Sequence, residues 1–553
     1  MSLASTKNTF AAIKTLQKVF VELVVLCLLC TSTAFAAVPT IPFTVTMSES
    51  VNVTGTPRIV LNVGGATRYA TYTAGTGTAS LTFTYTATAG DVDLDGIGIS
   101  STTLDLNGGT LTDLNGNPET NLTFVAPANM GSVNVNYPSL SMDFIYDSDG
   151  RYTLDGTAYN DLSSFLGAAG GSFTRASVGT YFDSAGTLQT AVSGTPRFDY
   201  DPITHVARGI LIEEARANLF TYSDQFDDVT WPRLNSVISA NTVTAPDGSI
   251  SADTWTRSST ASSYFGKGIS KSASALTYTG AIYVKMNIGN YFALRMQGAY
   301  PARADIVFNL NTGAISTSAS ATSSFTAASG SIQSVGNGWY RATLSATSDT
   351  HNTIRLYGSF NSNGSFLDGT DSVSNSSGYI WGAQLETGSF PTSYIPTTTA
   401  AVTRVADDLS LGSNTLLKQN TWSAVAKTYG MPSGQAGTFL GRNDNIGFGA
   451  LNGAFGTYKA WSTNGSTNLA SNTVNSAYYG GIARTSIGVD TTGRSITANG
   501  LIPTSDSVNI TAASSSWGRI GSALDIIYLN AHMQNLKIYN KRLSDTQLQL
   551  LTQ

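Results

Sequence analysis

The sequence predicts an all-β protein built as tandem β-sandwiches. Three observations predict it. Apolar and polar residues alternate along almost every segment, clusters of Gly, Asn, Asp and Pro interrupt these segments at short intervals, and helix signals are scarce. Strands that alternate in this way are half buried, as in antiparallel sheets with one wet face. The chain has 553 residues, enough for three or four domains.

Composition agrees. Apolar residues make up 41%, enough for real cores, whereas charged residues make up only 12%, and there are 54 glycines. This balance suits secreted β proteins and viral fibres better than cytosolic enzymes. Aromatic residues at 10% argue against disorder.

Residues 1–36 read as a secretion signal. Lys7, Lys14 and Lys18 precede the apolar run Val19–Cys30, broken only by Glu22, and Ala34-Phe35-Ala36 offers a cleavage site. An uncleaved membrane anchor is the rival reading. Both cysteines, Cys27 and Cys30, lie in this segment, so the mature chain is expected to hold no disulfide and no thiolate metal site. Without Lys7, Lys14, Lys18 and Glu22 there remain 27 basic and 34 acidic residues, a net charge of about −7. That argues against nucleic acid as a partner, because phosphate binding needs a basic surface. No later segment is long and apolar enough to span a membrane, which leaves the N-terminal signal as the one expected membrane contact.

A first unit, 41–127, follows. FTVTM puts Phe43, Val45 and Met47 on one face, RIVLNV does the same with Ile59, Leu61 and Val63, and SLTFTYTAT with Leu81, Phe83, Tyr85 and Ala87. Within it, Asp91, Asp93 and Asp95 in DVDLDG resemble the start of a calcium loop. Thr102 stands where an EF-hand needs its bidentate Glu, so an EF-hand is excluded. A calcium site of irregular oxygen ligands is the functional expectation, and a carboxylate-rich turn the structural one. Residues 137–215 form a less regular connector. Residues 216–400 make a larger β unit, PTTTA at 396–400 reads as a linker, and residues 403–553 make the last unit. That unit ends in a helix signal, with Ser544 as N-cap and Gln547 three residues on.

The text VTMSESVNVTGTPRIVLNVGG, SLTFTYTATAGDVDLDGIGI and LNGGTLTDLNGN resembles bacterial immunoglobulin-like repeats, which implies a spacer or adhesion module. FTRASVGTYFDSAGTLQTAVSGTPRFDYDP (173–202), RGILIEEARANL (208–219), VGNGWYR (335–341) and GYIWGAQLETGSFPTSYIPTT (378–398) are similar to phage tail-fibre and head-spike proteins. The unit containing APDG at 245–248 resembles jelly-roll carbohydrate-binding modules. HMQNLKIYNKRLSDTQLQLL (532–551) resembles the end of laminin-G-like, concanavalin-type sandwiches.

Within the third unit the strand face expected to matter is the one turned away from the core. In GYIWGAQLE, period two groups Tyr379, Trp381, Ala383 and Leu385 against Ile380, Gly382, Gln384 and Glu386, which makes Trp381 a core plug whose indole N–H needs a partner. The same alternation leaves Tyr283 and Lys285, then Tyr291, Arg295 and Gln297, then Trp339 and Arg341, then Arg355 and Tyr357, facing outward with Gln384. Flat rings mixed with planar donors and acceptors suit pyranose C–H faces and hydroxyls. If these strands share one sheet, that face binds polysaccharide or a cell-surface glycan. An ordinary solvated face, or a contact between subunits of a homo-oligomer, gives the same pattern.

No catalytic constellation is visible. His205, His351 and His532 are isolated, there is no G-x-S-x-G elbow, no P-loop and no E-x-D-x-x-E strand. Glu213 and Glu214 are adjacent and point to opposite faces of a strand, with Arg208 and Arg216 as expected ion-pair partners. The expectation is a secreted or surface-bound, non-enzymatic protein that binds carbohydrate. The alternative is a structural fibre or spike of a phage-like particle, against which the secretion signal counts, and a third reading is a polysaccharide hydrolase or lyase whose carboxylates converge from distant positions.

Overall fold

The computed structural model describes residues 23–25, 38–126, 130–146, 151–412, 419–432, 435, 437–442, 447–450, 457–461, 468–473, 481–507, 517–523 and 527–553. The leader assigned to residues 1–36 lies outside them, except for Leu23–Val25, which pair antiparallel with Phe43–Val45. The chain is all-β, and every strand pair among the described residues is antiparallel.

It divides into two compact units. In the first, Thr40–Thr54, Thr78–Thr86, Ala66–Ala74 and Arg58–Val63 lie side by side in that order, and Thr110–Asp113 adds to the far half of Thr40–Thr54. The alternation expected from the sequence holds: Phe43, Val45, Ile59, Leu61, Val63, Leu81, Phe83 and Tyr85 are all in one core. The calcium expectation is corrected here. Asp91 is buried and its oxygens are taken by Arg68, the Tyr85 hydroxyl at 2.6 Å and the Thr88 amide at 2.8 Å. Asp93 caps the Gly64 and Gly96 amides, while Asp95 is exposed. Among the described residues, no three His, Cys, Asp or Glu side chains stand together as metal ligands. Amide and guanidinium donors reach these carboxylates locally, which is the carboxylate-rich turn.

The second unit contains two sandwiches. The central one faces two six-stranded sheets. The first runs Arg233–Leu234, Tyr264–Ser270, Thr353–Asn361, Tyr291–Gln297, Arg303–Asn309, Ala314–Thr322. The second runs Ser236–Thr244, Ile250–Arg257, Ser377–Thr387, Thr277–Ile288, Trp339–Thr347, Thr326–Gly336. Ile282, Val284, Phe292, Leu294, Met296, Ala342, Leu344, Ile354 and Leu356 fill the space between them, as their alternation predicts.

Asp253 is buried in this sandwich, and no cation among the described residues pairs with it. Burial pushes its carboxyl up to about 6, against the pull of the Asn241 and Phe226 amides that donate to it. The folded state therefore holds a proton that the unfolded chain releases near pH 4. Its contribution is full below that pH and is lost as pH rises through 6. Urea melts of the wild type and Asp253→Asn are expected to differ by an amount that moves against the wild type between pH 4 and 7, by up to ~3 kcal/mol. A difference that is flat with pH would contradict this.

The connector is not a separate unit. Its strand Ala207–Ile212 pairs with Ala531–Tyr539, and Ser172–Thr174 pairs with Asp408–Ser410. These join the two sheets of the C-terminal sandwich, in which Ala531–Tyr539, Trp422–Tyr429, Ile482–Val489 and Arg494–Ala498 are successive neighbours. The central sandwich is thus an insertion, entering through Arg216–Asn218 and leaving through Val402–Arg404, which pair with each other. The stretch 396–400 is not a free linker, because Thr397 is buried and its amide donates to Ser223 Oγ at 2.9 Å. Two helices are present among the described residues. Leu162–Ala169, capped by Asp161 and ended by a left-handed Gly170, was not expected. Asp545–Leu550 carries the expected capping box of Ser544 and Gln547.

Candidate functional site

The outward residues of the central sandwich do not share one sheet. Tyr291, Arg295, Gln297, Arg355 and Tyr357 lie on the first, and Tyr283, Lys285, Trp339, Arg341 and Gln384 on the second. A sandwich places these two groups on opposite outer faces, so the single concave surface expected from the sequence is corrected to two separate faces.

The second sheet's outer face is covered. Gly382, at φ +60°, interrupts the ladder, and the pairing slips between Tyr283–Trp381 and Ala281–Gln384. Trp381 therefore belongs with Tyr379, Gln384 and Glu386, not with Ala383 and Leu385, which fill the main core. Trp381 is nonetheless buried, in a second cluster with Tyr283, Trp339 and Tyr394. Its indole donates to Ser251 Oγ at 3.0 Å, and the Trp339 indole donates to the Thr244 carbonyl at 3.1 Å. Residues 391–395 and the connector form the cover. Gln384 donates to the Ser393 carbonyl and accepts from the Ile395 amide, and Arg341 donates to the Thr392 carbonyl at 2.6 Å. Lys285 is half-buried beside Gly338.

The first sheet's outer face is partly open. The loop after Asn361 folds Leu367 onto Ala293 and Val307, with Phe366 packed against this cluster. It also brings Asp368 to Arg295, which is buried between Asp368 at 2.8 Å and Asp305 at 2.6 Å. Burial opposes its charge, but those two carboxylates hold the Arg295 guanidinium above its usual range. Arg295 is thus a structural ion pair, and Tyr291 lies against Gly364 in the same loop. What stays half-exposed is Tyr357, Arg355, Gln297 and the adjoining Tyr264. Tyr357 lies directly on Gly266, where an added Cβ would meet its ring at 2.2 Å, and Arg355 lies over Gly268 in the same manner. Tyr264 meets Tyr357 edge-on at 5.0 Å. Across the ladder, Gln297 is opposite Arg355 and Arg295 opposite Tyr357. Two glycines therefore make the recess that lets a phenol ring and a guanidinium lie against the sheet.

A site that the sequence did not disclose lies where the two sandwiches meet. Arg175, Arg197, Glu213, Arg404 and Asp407 form a network with no appreciable solvent access. Arg197 reaches Asp407 at 2.5 Å and Glu213 at 2.8 Å, Arg175 reaches Asp407 at 3.0 Å, and Arg404 stands 3.4 Å from Glu213. Glu213 also accepts from the Ser393 amide and hydroxyl, each at 2.7 Å. Although burial works against it, Arg404 and Arg197 hold its carboxyl well below the usual carboxylate range. The expected partners are half right: Glu214 pairs with Arg216, but Arg208 pairs with Asp201. Beside the network, Asp199 bonds His532 at 2.8 Å, so His532 is not isolated. A separation of 333 positions hid that pair from any reading of local spacing.

No family model matches the chain, and no curated protein matches its sequence. Among solved structures, domain 4 of an extracellular arabinanase from Geobacillus stearothermophilus, solved with arabinotriose, is similar at 16% identity and a TM-score of 0.23, over 30% of this chain and 82% of that one. Domains LG4-5 of the mouse laminin alpha1 chain are similar at 9% identity and a TM-score of 0.18, over 50% and 88%. Scores this low do not superpose one fold on another, and neither likeness bears on the assignment below.

Proposed function

We propose that this is an exported, non-catalytic protein that binds carbohydrate through the outer face of the first sheet of its central sandwich. The observation that carries the reading is the Tyr357 ring set against Gly266, half-exposed, beside Tyr264, Arg355 and Gln297. A flat ring covers the C–H face of a pyranose while the neighbouring guanidinium and amide reach its hydroxyls. Such wet, polar contacts are weak singly, and oligomerisation would strengthen them through multivalency. The first unit then serves as a spacer.

A glycan array with purified residues 37–553 tests this. Binding to a defined glycan class is expected, with Tyr357→Ala weakening it ten-fold or more, about 1.4 kcal/mol, and Tyr357→Phe retaining it. Binding that Tyr357→Ala leaves intact would remove the site from this face. No binding, together with a trimeric mass and presence in purified particles, would favour a structural fibre or spike.

A further inference from the structure

A cleft of 210 Å³ opens between the covered face of the central sandwich, the connector and the C-terminal sandwich. Domain junctions of this kind are common places for small-molecule sites. Its charge is unbalanced. Each carboxylate in its lining already has a cationic or imidazole partner: Glu213 has Arg197 and Arg404, and Asp199 has His532. Arg208 pairs with Asp201 at 2.8 Å. Arg341 makes no ion pair among the described residues, though its charge is felt by the buried Glu386 carboxyl. It stacks over the Tyr283 ring at 5.6 Å and spends one amino group on the Thr392 carbonyl.

Arg341 therefore lines the cleft as a cation with no carboxylate paired to it among the described residues. A guanidinium can only donate, so the partner it lacks is an acceptor, best an anion with two oxygens.

We propose that this cleft binds a sugar acid, a single hexuronate unit or the end of an acidic glycan, with its carboxylate on Arg341. Arg341 is pre-set for it, because Tyr283 below and Thr392 beside hold the guanidinium in place. Gln333, exposed and directly across the ladder from Arg341, serves the ring hydroxyls. The cleft is smaller than the ~300 Å³ at which pockets for drug-sized ligands begin, which limits it to one sugar ring. The choice of a sugar acid rests on the carbohydrate-binding reading above, whereas the Arg341 guanidinium without an ion-pair partner stands without it.

Calorimetric titration of residues 37–553 with glucuronate, glucose and acetate tests this. Glucuronate is expected to bind at least ten-fold more tightly than either of the others. Arg341→Gln and Gln333→Glu are each expected to weaken it ten-fold or more. Gln333→Glu places a carboxylate against the ligand's own from an exposed strand position, so it reports even if Arg341→Gln fails to fold. Equal binding of glucose would overturn the acid, equal binding of acetate would overturn the sugar, and no binding of glucuronate would leave the cleft to water and overturn both. Glucuronate binding without any array signal would sink the Tyr357 face and keep the cleft. An array signal lost in Tyr357→Ala, without glucuronate binding, would do the reverse.

Discussion

Replacing Asp407 by Ala is expected to destabilise the second unit by ~3–5 kcal/mol. Asp407 is fully buried and accepts from Arg175, Arg197 and the Glu213 amide. In the intact network three guanidiniums share two carboxylates. Removing one carboxylate leaves Arg175, Arg197 and Arg404 with Glu213 alone, where water cannot compensate. Because the network ties the connector to the strand through which the chain leaves the central sandwich, the loss is felt by both sandwiches. Urea unfolding followed by tryptophan fluorescence is the measurement, and a shift under ~1 kcal/mol would mean that the network contributes no more than an exposed pair. Acid should act in the same direction. Glu213 is held below its ordinary value, so its contribution is present above pH ~4.5 and is lost as pH falls from there toward its folded value. Wild-type stability is expected to fall on that limb, and Glu213→Gln is expected to flatten it.

The parts of the molecule legible in the sequence were those set by neighbours two residues apart. Alternation placed Phe43, Ile282, Leu294 and Leu356 in cores, and a local Ser544–Gln547 pair placed the last helix. What alternation could not supply was the identity of the layer beyond each sheet. Trp339 and Gln384 do face away from the main core, yet both are buried, because residues 391–395 and the connector lie over them. Facing outward from a sheet and facing solvent are different properties, and only the first has a period. The connector shows the same limit from the other side. Arg175, Arg197, Asp199 and Glu213 all lie in the connector, but their role depends on Arg404, Asp407 and His532, which stand hundreds of residues away. The Tyr357 platform is half legible: the sequence singles out its ring, but not the Gly266 that makes room for it, since that glycine acts across the ladder.

Trp381→Ala is the second large effect. The indole is 3% exposed and meets Tyr394 at 4.8 Å and Tyr283 at 5.4 Å between ring centres. Truncation removes those contacts, leaves a cavity and strips Ser251 of its donor, for an expected cost of ~3–5 kcal/mol. Trp381→Phe keeps most of the ring volume and loses the hydrogen bond, so its cost should be nearer ~1–2 kcal/mol. The pair of variants separates two roles for this side chain. A core plug predicts a fall in the urea midpoint graded by ring volume, with glycan binding intact in the folded Phe variant. A sugar platform predicts the opposite order, an unchanged midpoint and lost binding. The geometry favours the plug, and it adds a consequence. Tyr283, which packs against Trp381, also carries Arg341 over its ring. Loosening the indole should therefore reach the cleft before it reaches Tyr357, and glucuronate affinity should fall in Trp381→Phe while array binding stays. Equal loss of both would mean that the two outer faces of the sandwich are not independent, and that the central sandwich responds as one body to a change in its second aromatic cluster.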